Sequence, residues 1–203
     1  MNKRIRKVNK ITDNKFLNYF ELDVTHKNGK DSRYFMASRT IEPSDMLLAT
    51  GKVHTDGVAM YALYGEAHDK VVLIRQYRYP LGGYVYEFPA GLVEEGEDYH
   101  LSSIREMKEE TGLDFTPIKV DPIYENAYFT TVGMTDECCA TVYGYASGTP
   151  SKNFMEESED IELVLADRAE VKRILKEEHV ALLAAYQLMH FLHDEDPFAF
   201  LHP

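Results

Sequence analysis

The 203-residue sequence contains no tryptophan, so any stacking on a flat ligand must use tyrosine or phenylalanine. It has only two cysteines, the neighbours Cys138 and Cys139. Adjacent residues of a strand point to opposite faces, which argues against a structural disulfide between them and fits a reducing compartment. No apolar run approaches the roughly 20 residues that span a bilayer. The basic start, "MNKRIRKVNKITDN", is followed by no apolar segment and does not read as a secretory signal. The expected location is the cytoplasm. Basic residues are in the minority, 22 Lys and Arg against 34 Asp and Glu, for a net charge of -12. Long-range attraction to nucleic acid or to an anionic membrane would have the wrong sign. A small anionic substrate held by local arginines or a bound cation is not excluded. There is no glycine-rich phosphate loop and no Ser-His-Asp pattern, and the eight histidines form no zinc-spaced set with the cysteines.

What is present is an ordinary globular composition, 44% hydrophobic and 28% charged, in a chain long enough for one sizeable core. The first fifty or so residues alternate and are rich in aromatics. "FLNYFELDVTH", the turn "KNGK" and "SRYFMASRT" predict a hairpin or small sheet. Residues 1–50 are therefore read as an N-terminal β-subdomain and 51–203 as the main domain. "HTDGVAMYALYG" and "KVVLIRQYRYP" predict a pair of core strands, and "GGYVYEFPAG" a short strand broken at Pro89. Asp98 can cap a helix that Gly112 stops after Thr111. "DPIYENAYFTTVG", "ECCATVYGYASG" and "IELVLAD" read as strands, with the acidic loop "TPSKNFMEESED" between the last two. "RAEVKRILKEE" and "VALLAAYQLMHFLHD" read as helices, and the tail "PFAFLHP" is apolar enough to dock. Strands and helices mix without regular βαβ alternation, so the fold class is α/β (α+β), a mixed sheet with helices on its faces.

One stretch stands out. "GLVEEGEDYHLSSIREMKEETGL", Gly91 to Leu113, holds seven acidic residues against two basic ones. On a helix from Asp98, Leu101, Ile104 and Met107 make one stripe, expected to face the core, with Glu106, Glu109 and Glu110 on the other side. Like charges four apart destabilise a helix by about 0.2–0.5 kcal/mol, and the C-terminal half is where the helix dipole disfavours anions. A hard dication reverses that sign, because Mg²⁺ takes oxygen ligands from a few carboxylates and a substrate phosphate. A solvated acidic face is the plainer alternative.

The surrounding spacing favours the cation through the resemblance that it carries. Gly91, Glu97, Arg105, Glu106, Glu109, Glu110 and Gly112, with apolar Met107 and Leu113, resemble the Nudix box at each of its nine specified positions. The resemblance implies a Nudix-type α/β/α sandwich. It also implies that Gly91 lets a backbone carbonyl, that of Ala90, reach a metal. Glu97 and Arg105 would pair to fix helix against loop. Glu106 and Glu110 would bind Mg²⁺, or Mn²⁺ in its place, with Glu109 as a ligand or close support.

Outside the box, "VVLIRQYRYPLGGYVYEFPAGLVEEGE" is similar to the ADP-ribose and ADP-sugar pyrophosphatase branch of that family, and the similarity extends over roughly residues 15 to 195. Carried over, Arg39 and Arg78 would clamp the diphosphate, as planar guanidinium forks suit phosphate oxygens. Phe16 and Tyr34 would sandwich the adenine, one from each subunit of a homodimer. Glu159, with Glu157 in reserve, would be the base that takes a proton from water. The segment "TTVGMTDE" has Val132 where that branch usually has proline, so the sugar stays open between ADP-ribose and a related ADP-sugar. The implied partner is a small nucleoside diphosphate sugar, with neither nucleic acid nor membrane. Two other readings remain: hydrolysis of another nucleoside diphosphate sugar or a dinucleotide, and a non-catalytic ligand sensor of the same fold.

Overall fold

The computed structural model describes residues 4–155 and 159–201. In chain order the elements are β1 (Ile5–Lys10), β2 (Asn18–Thr25), β3 (Asp31–Ser38), a helical turn α1 (Leu47–Thr50), β4 (Gly57–Tyr64), β5 (Lys70–Arg78), β6 (Gly83–Glu87) and β7 (Ala90–Leu92). They continue with α2 (Tyr99–Thr111), β8 (Asp114–Pro117), α3 (Pro122–Glu125), β9 (Tyr128–Phe129), β10 (Cys138–Ser147), β11 (Ile161–Ala166), α4 (Arg168–Glu177), α5 (Leu182–His193) and a 3₁₀ turn at Ala199–Leu201. The chain is mixed α/β. Among the described residues no helix is long and apolar enough to cross a membrane.

Two compact units form. The first comprises the residues up to Asp56 together with Ala127–Cys139. Its core is an antiparallel β1-β2-β3 sheet whose inner face buries Phe20, Leu22 and Met36 against Met46. The β2–β3 hairpin turns at Gly29, whose φ of 80° suits a residue without Cβ. The segment "DPIYENAYFTTVG" departs from the expected strand. Asp121 caps, and Pro122 begins, the helical turn α3, because proline has no N–H to give a ladder but fits a first helical position. Only Tyr128 and Phe129 pair, with Cys139 and Cys138.

The second unit carries a sheet of order β11-β5-β4-β10-β8. β4 meets β5 only at Leu63↔Val71 and Tyr64↔Lys70, after which the two strands diverge. β6 fills the gap on the β5 side, from Ile74↔Glu87 to Arg78↔Gly83, and β7 fills it on the β4 side, with Ala59↔Ala90. Pro89 separates them, and its carbonyl accepts the Met60 N–H at 2.9 Å. That wedge delivers the chain at Gly91 directly into the loop before α2.

β4 reads as a continuous apolar run because both its faces are covered. Val58, Met60 and Ala62 pack with Met107, Leu113 and Phe115. Tyr61, on the opposite face, stacks on Phe88 with centroids 5.1 Å apart and meets Phe198 edge-on at 5.4 Å. Phe198 and Leu201 are buried, so the apolar tail does dock.

Helix α2 begins and ends as its sequence implies. The Asp98 carboxylate accepts the His100 N–H, and Gly112 closes the last turn in the left-handed region at φ 75°. A Cβ on Gly112 would lie 2.5 Å from the Ser151 backbone nitrogen and 2.6 Å from its carbonyl oxygen. Backbone cannot swing aside as a side chain can. Gly112→Ala should therefore lower the unfolding free energy by about 1–3 kcal/mol, read as a drop in the denaturant midpoint; an unchanged midpoint would contradict this account of the turn.

The buried face of α2 is not the expected one. Met107 is fully buried, but Leu101 is 62% and Ile104 39% exposed, and Glu110, placed on the solvent side by the wheel, is 3% exposed. The face turned inward is Ser102, Ser103, Met107, Glu110 and Thr111. It can be buried because its polar groups find partners nearby. Ser103 donates to the His100 carbonyl at 2.7 Å, Thr111 donates to the Met107 carbonyl, and Glu110 accepts a backbone N–H.

Candidate active site

Gly91 and Glu106 fix the geometry of the site together. A Cβ on Gly91 would sit 1.9 Å from Glu106 Cδ and within 2.3 Å of both carboxylate oxygens. The Glu106 carboxylate thus occupies the place where any other residue at position 91 would carry its side chain. One residue earlier, the Ala90 N–H donates to Glu110 Oε2 at 3.1 Å. The β7 backbone and one turn of α2 are interlocked by these two contacts.

Arg105 gathers the remaining carboxylates. Its Nη2 donates to Glu97 Oε2 at 3.1 Å and to the Leu92 carbonyl at 3.3 Å, and its Nη1 to Glu106 Oε1 at 2.7 Å and Glu109 Oε2 at 3.0 Å. The expected pairing of Glu97 with Arg105 is present and ties the loop to the helix. Hydrogen bonds from Arg105 and Ser102 hold the Glu97 carboxyl down at about 2. Burial works the other way on Glu106, whose carboxyl is raised despite Arg105. It does so more strongly on Glu110, raised well above the usual carboxylate range despite the Ala90 N–H. The charge of Glu109 also raises Glu106, that of Glu106 raises Glu110, and that of Glu159 raises both. Glu159, some fifty residues along the chain, thus adds its negative charge to the field at the acidic turn. Glu157 lies outside the described residues.

Arg78, at the end of β5, donates from Nε to Glu87 Oε1 at 2.6 Å, and its positive charge lowers the Glu110 carboxyl. Glu87 was not foreseen as its partner: the β5–β6 register sets Arg78 opposite Gly83 and Glu87 opposite Ile74, so the pair is a diagonal contact that the two long side chains reach along the ladder. Two clefts flank these groups. One of about 530 Å³ runs from Glu110 past Ser151, Lys152 and Leu163. One of about 780 Å³ is lined by Arg78, Leu81, Glu87 and Val180.

In the first unit, Arg39 Nε donates to Glu137 Oε1 at 2.8 Å, and the Tyr34 hydroxyl to the Gly133 carbonyl at 2.6 Å. Both contacts reach the segment that carries Val132. Phe16 lies in the loop between β1 and β2, 63% exposed, with Lys15 Nζ 5.1 Å from its ring centroid. Cys138 is buried and Cys139 partly so.

Among the described residues no three acidic, histidine or cysteine side chains converge into a ready metal cage. Glu106 and Glu109 are turned onto Arg105 instead. The donor chemistry nevertheless fits a hard dication. The oxygens of Glu106, Glu109 and Glu110 crowd one helical turn against a backbone strand, two of them burdened by burial that a cation would offset.

The sequence pattern of the NUDIX domain family matches residues 53–186, a span that holds the acidic turn, Arg78 and Glu159. The chain is 31% identical to an ADP-ribose pyrophosphatase of Saccharomyces cerevisiae over 139 residues, 68% of this chain and 56% of that one. It is 37% identical to an ADP-ribose pyrophosphatase of Bacillus subtilis over 84 residues, 41% of this chain and 42% of the relative. The match therefore spans about half the length of these relatives. A solved structure of an ADP compounds hydrolase superposes with a TM-score of 0.58 at 19% identity, covering 85% of this chain and 82% of its own, a likeness of fold. With the family pattern spanning most of the chain, the chain belongs to the NUDIX domain family.

Proposed function

We propose that the protein hydrolyses the diphosphate bond of ADP-ribose, or of a related ADP-sugar, to AMP and a sugar phosphate. The observation that carries this reading is the acidic turn itself, with the Glu106 carboxylate seated against Gly91, Glu110 accepting the Ala90 N–H at 3.1 Å, and Arg105 holding Glu106 and Glu109. The named activity of the yeast relative supports the substrate.

Glu106, Glu110 and Glu109, with the Ala90 carbonyl, are the groups that would hold Mg²⁺ or Mn²⁺. Such an ion supplies positive charge against the diphosphate and lowers the pKa of water. The residues of the chain do the rest. Arg78 and Arg39 bind phosphate oxygens, each giving up part of its hold on Glu87 or Glu137 to do so. Arg105 keeps Glu106 and Glu109 in place. Glu159 accepts the proton of the attacking water as its oxygen bonds to one phosphorus and the bridging P–O bond breaks. One phosphate leaves with the nucleoside and the other with the sugar. Phe16 and Tyr34 offer exposed rings for the adenine, and the homodimer that would pair them from two subunits belongs to the same proposal.

The test is incubation of the protein with ADP-ribose and Mg²⁺, following AMP and ribose 5-phosphate. Turnover is expected, and Glu159→Gln should lower kcat by about 10²-fold or more, the usual worth of a positioned base. Release of a phosphomonoester from other nucleoside diphosphate sugars, but not from ADP-ribose, would replace the substrate. Nucleotide binding without any turnover would make the protein a sensor and end the catalytic reading.

A further inference from the structure

Among the described residues two buried side-chain polar atoms lack a hydrogen-bond partner, the Tyr61 hydroxyl and the Gln76 amide oxygen. A buried acceptor left unpaired is costly, and folded proteins hold few of them. The two differ in what can reach them. Tyr61 is fully buried and walled in by Phe88, Tyr143 and Phe198. Gln76 is only partly buried and lies on β5, two residues before Arg78.

Strand register shows which face Gln76 occupies. Directly opposite residues of an antiparallel ladder share a face, and so do residues two apart along one strand. Gln76 pairs with Val85 of β6 on one side and with Ile161 of β11 on the other, and both partners are buried. Arg78, Gly83, Val85 and Glu87 all belong to this face, and all four line the cleft of about 780 Å³. On β11 the same face carries Leu163 and Leu165, opposite Ile74 and Val72, and these line the cleft of about 530 Å³ that begins at Glu110. Gln76 therefore belongs to the row of β5 side chains that runs between the two clefts. A ligand that reaches from one cleft into the other passes over it.

A methionine or leucine would fill the space between Val85 and Ile161 without a stranded oxygen. The chain itself leaves the oxygen unpaired: Arg78, on the same face, directs its Nε to Glu87. Phosphate oxygens are acceptors as well and cannot satisfy an amide oxygen. The matching group is an O–H, which a sugar beside the diphosphate or the attacking water would bring. We infer that Gln76 contacts the bound substrate complex: its amide oxygen accepts a hydrogen bond from an O–H group next to the diphosphate. The inference rests on the proposed reading in which Arg78 binds the phosphate oxygens.

The experiment compares the parent with Gln76→Met, which keeps the length of the side chain and removes the amide. Without ligand the variant should melt at the parent's temperature or about 2–4 °C higher, because no unpaired oxygen remains. Two measurements then separate the sources of the O–H. Calorimetric titration with ADP-ribose in chelator reads binding alone, and hydrolysis of ADP-ribose with Mg²⁺ reads kcat. A sugar hydroxyl predicts affinity weaker by about 3–10-fold in the variant. The attacking water predicts unchanged affinity and a kcat lower by about 3–10-fold. A Gln76→Met protein with the parent's affinity and the parent's kcat would overturn the inference while leaving the reaction, which is judged on the parent alone, standing. A variant that melts well below the parent would also overturn it, by making Gln76 a structural residue.

Discussion

Glu110→Gln is expected to abolish measurable turnover, a loss of at least about 100-fold in kcat, while leaving the metal-free protein as stable as before or more so. The two effects come from one fact. Glu110 is 3% exposed and its carboxyl is raised well above the usual range, first of all by burial. Ionised, it is a charge taken out of water with a single N–H, that of Ala90, as its close compensation. Glutamine keeps an oxygen for that N–H and removes the charge. The sign of the pH dependence follows. Because the folded-state pKa lies above the unfolded one, the folded protein binds the extra proton between the two values. Stability from this group therefore rises as pH falls through the folded pKa toward the unfolded one, and it is lost again above the folded pKa. In the presence of chelator at pH 8, Glu110→Gln should melt at the parent's temperature or about 2–4 °C higher, and the parent alone should gain stability on mild acidification. Added Mg²⁺ should raise the parent's melting temperature by mass action and the variant's little. A variant that keeps its turnover, or that melts well below the parent without metal, would show that Glu110 is a structural acid.

Gly91→Ala should produce the same split by a different route. The new Cβ would fall 1.9 Å from Glu106 Cδ, so the two cannot coexist as placed. What it meets is the far end of a flexible side chain, which can swing away at modest cost. Stability should change by less than about 1–2 kcal/mol. The carboxylate that moves is the one paired with Arg105 and adjacent to Glu110, and a displacement on the order of 1 Å at a reacting centre costs about 10²-fold in rate. A comparable loss of kcat in a protein with a near-parental melting temperature is the expected outcome. Gly83→Ala supplies the control, since nothing lies within 4 Å of a Cβ there. If Gly91→Ala were fully active, the close approach of β7 to Glu106 would have no part in catalysis. The contrast with Gly112→Ala is instructive. There the obstacle is backbone at 2.5 Å with φ at 75°, so stability, and not activity alone, should suffer.

The local chemistry of this protein was legible one segment at a time. Asp98 and Gly112 bound α2 because a capping carboxylate and a residue free to adopt positive φ act within one turn of chain. The apolar runs of β4 and β5 and the hairpin at Gly29 are likewise short-range signals. The acidic turn could be located because three carboxylates at helical spacing repel one another in any fold that leaves them alone, whereas a cation among them is what the resemblance to the Nudix box implied.

Which face of α2 would be buried could not be read from the wheel. Leu101 and Ile104 are apolar and exposed, Ser102, Ser103 and Glu110 are polar and buried, and the choice was made by where the strands β4, β7 and β8 lie. Sequence periodicity counts apolar side chains, whereas burial depends on which partner arrives and on whether the polar groups that it covers find hydrogen bonds. The partners of the arginines belong to the same category. Arg78 with Glu87, Arg39 with Glu137 and Tyr84 with Asp160 join residues that only strand pairing and loop return bring together. Most of the strands and helices were legible because propensity and capping act over a few residues, though Pro122 begins a helical turn within one expected strand. Which carboxylates lose their water and which cations stand beside them was settled by the folded chain, because desolvation and pairing are set by neighbours distant in the sequence.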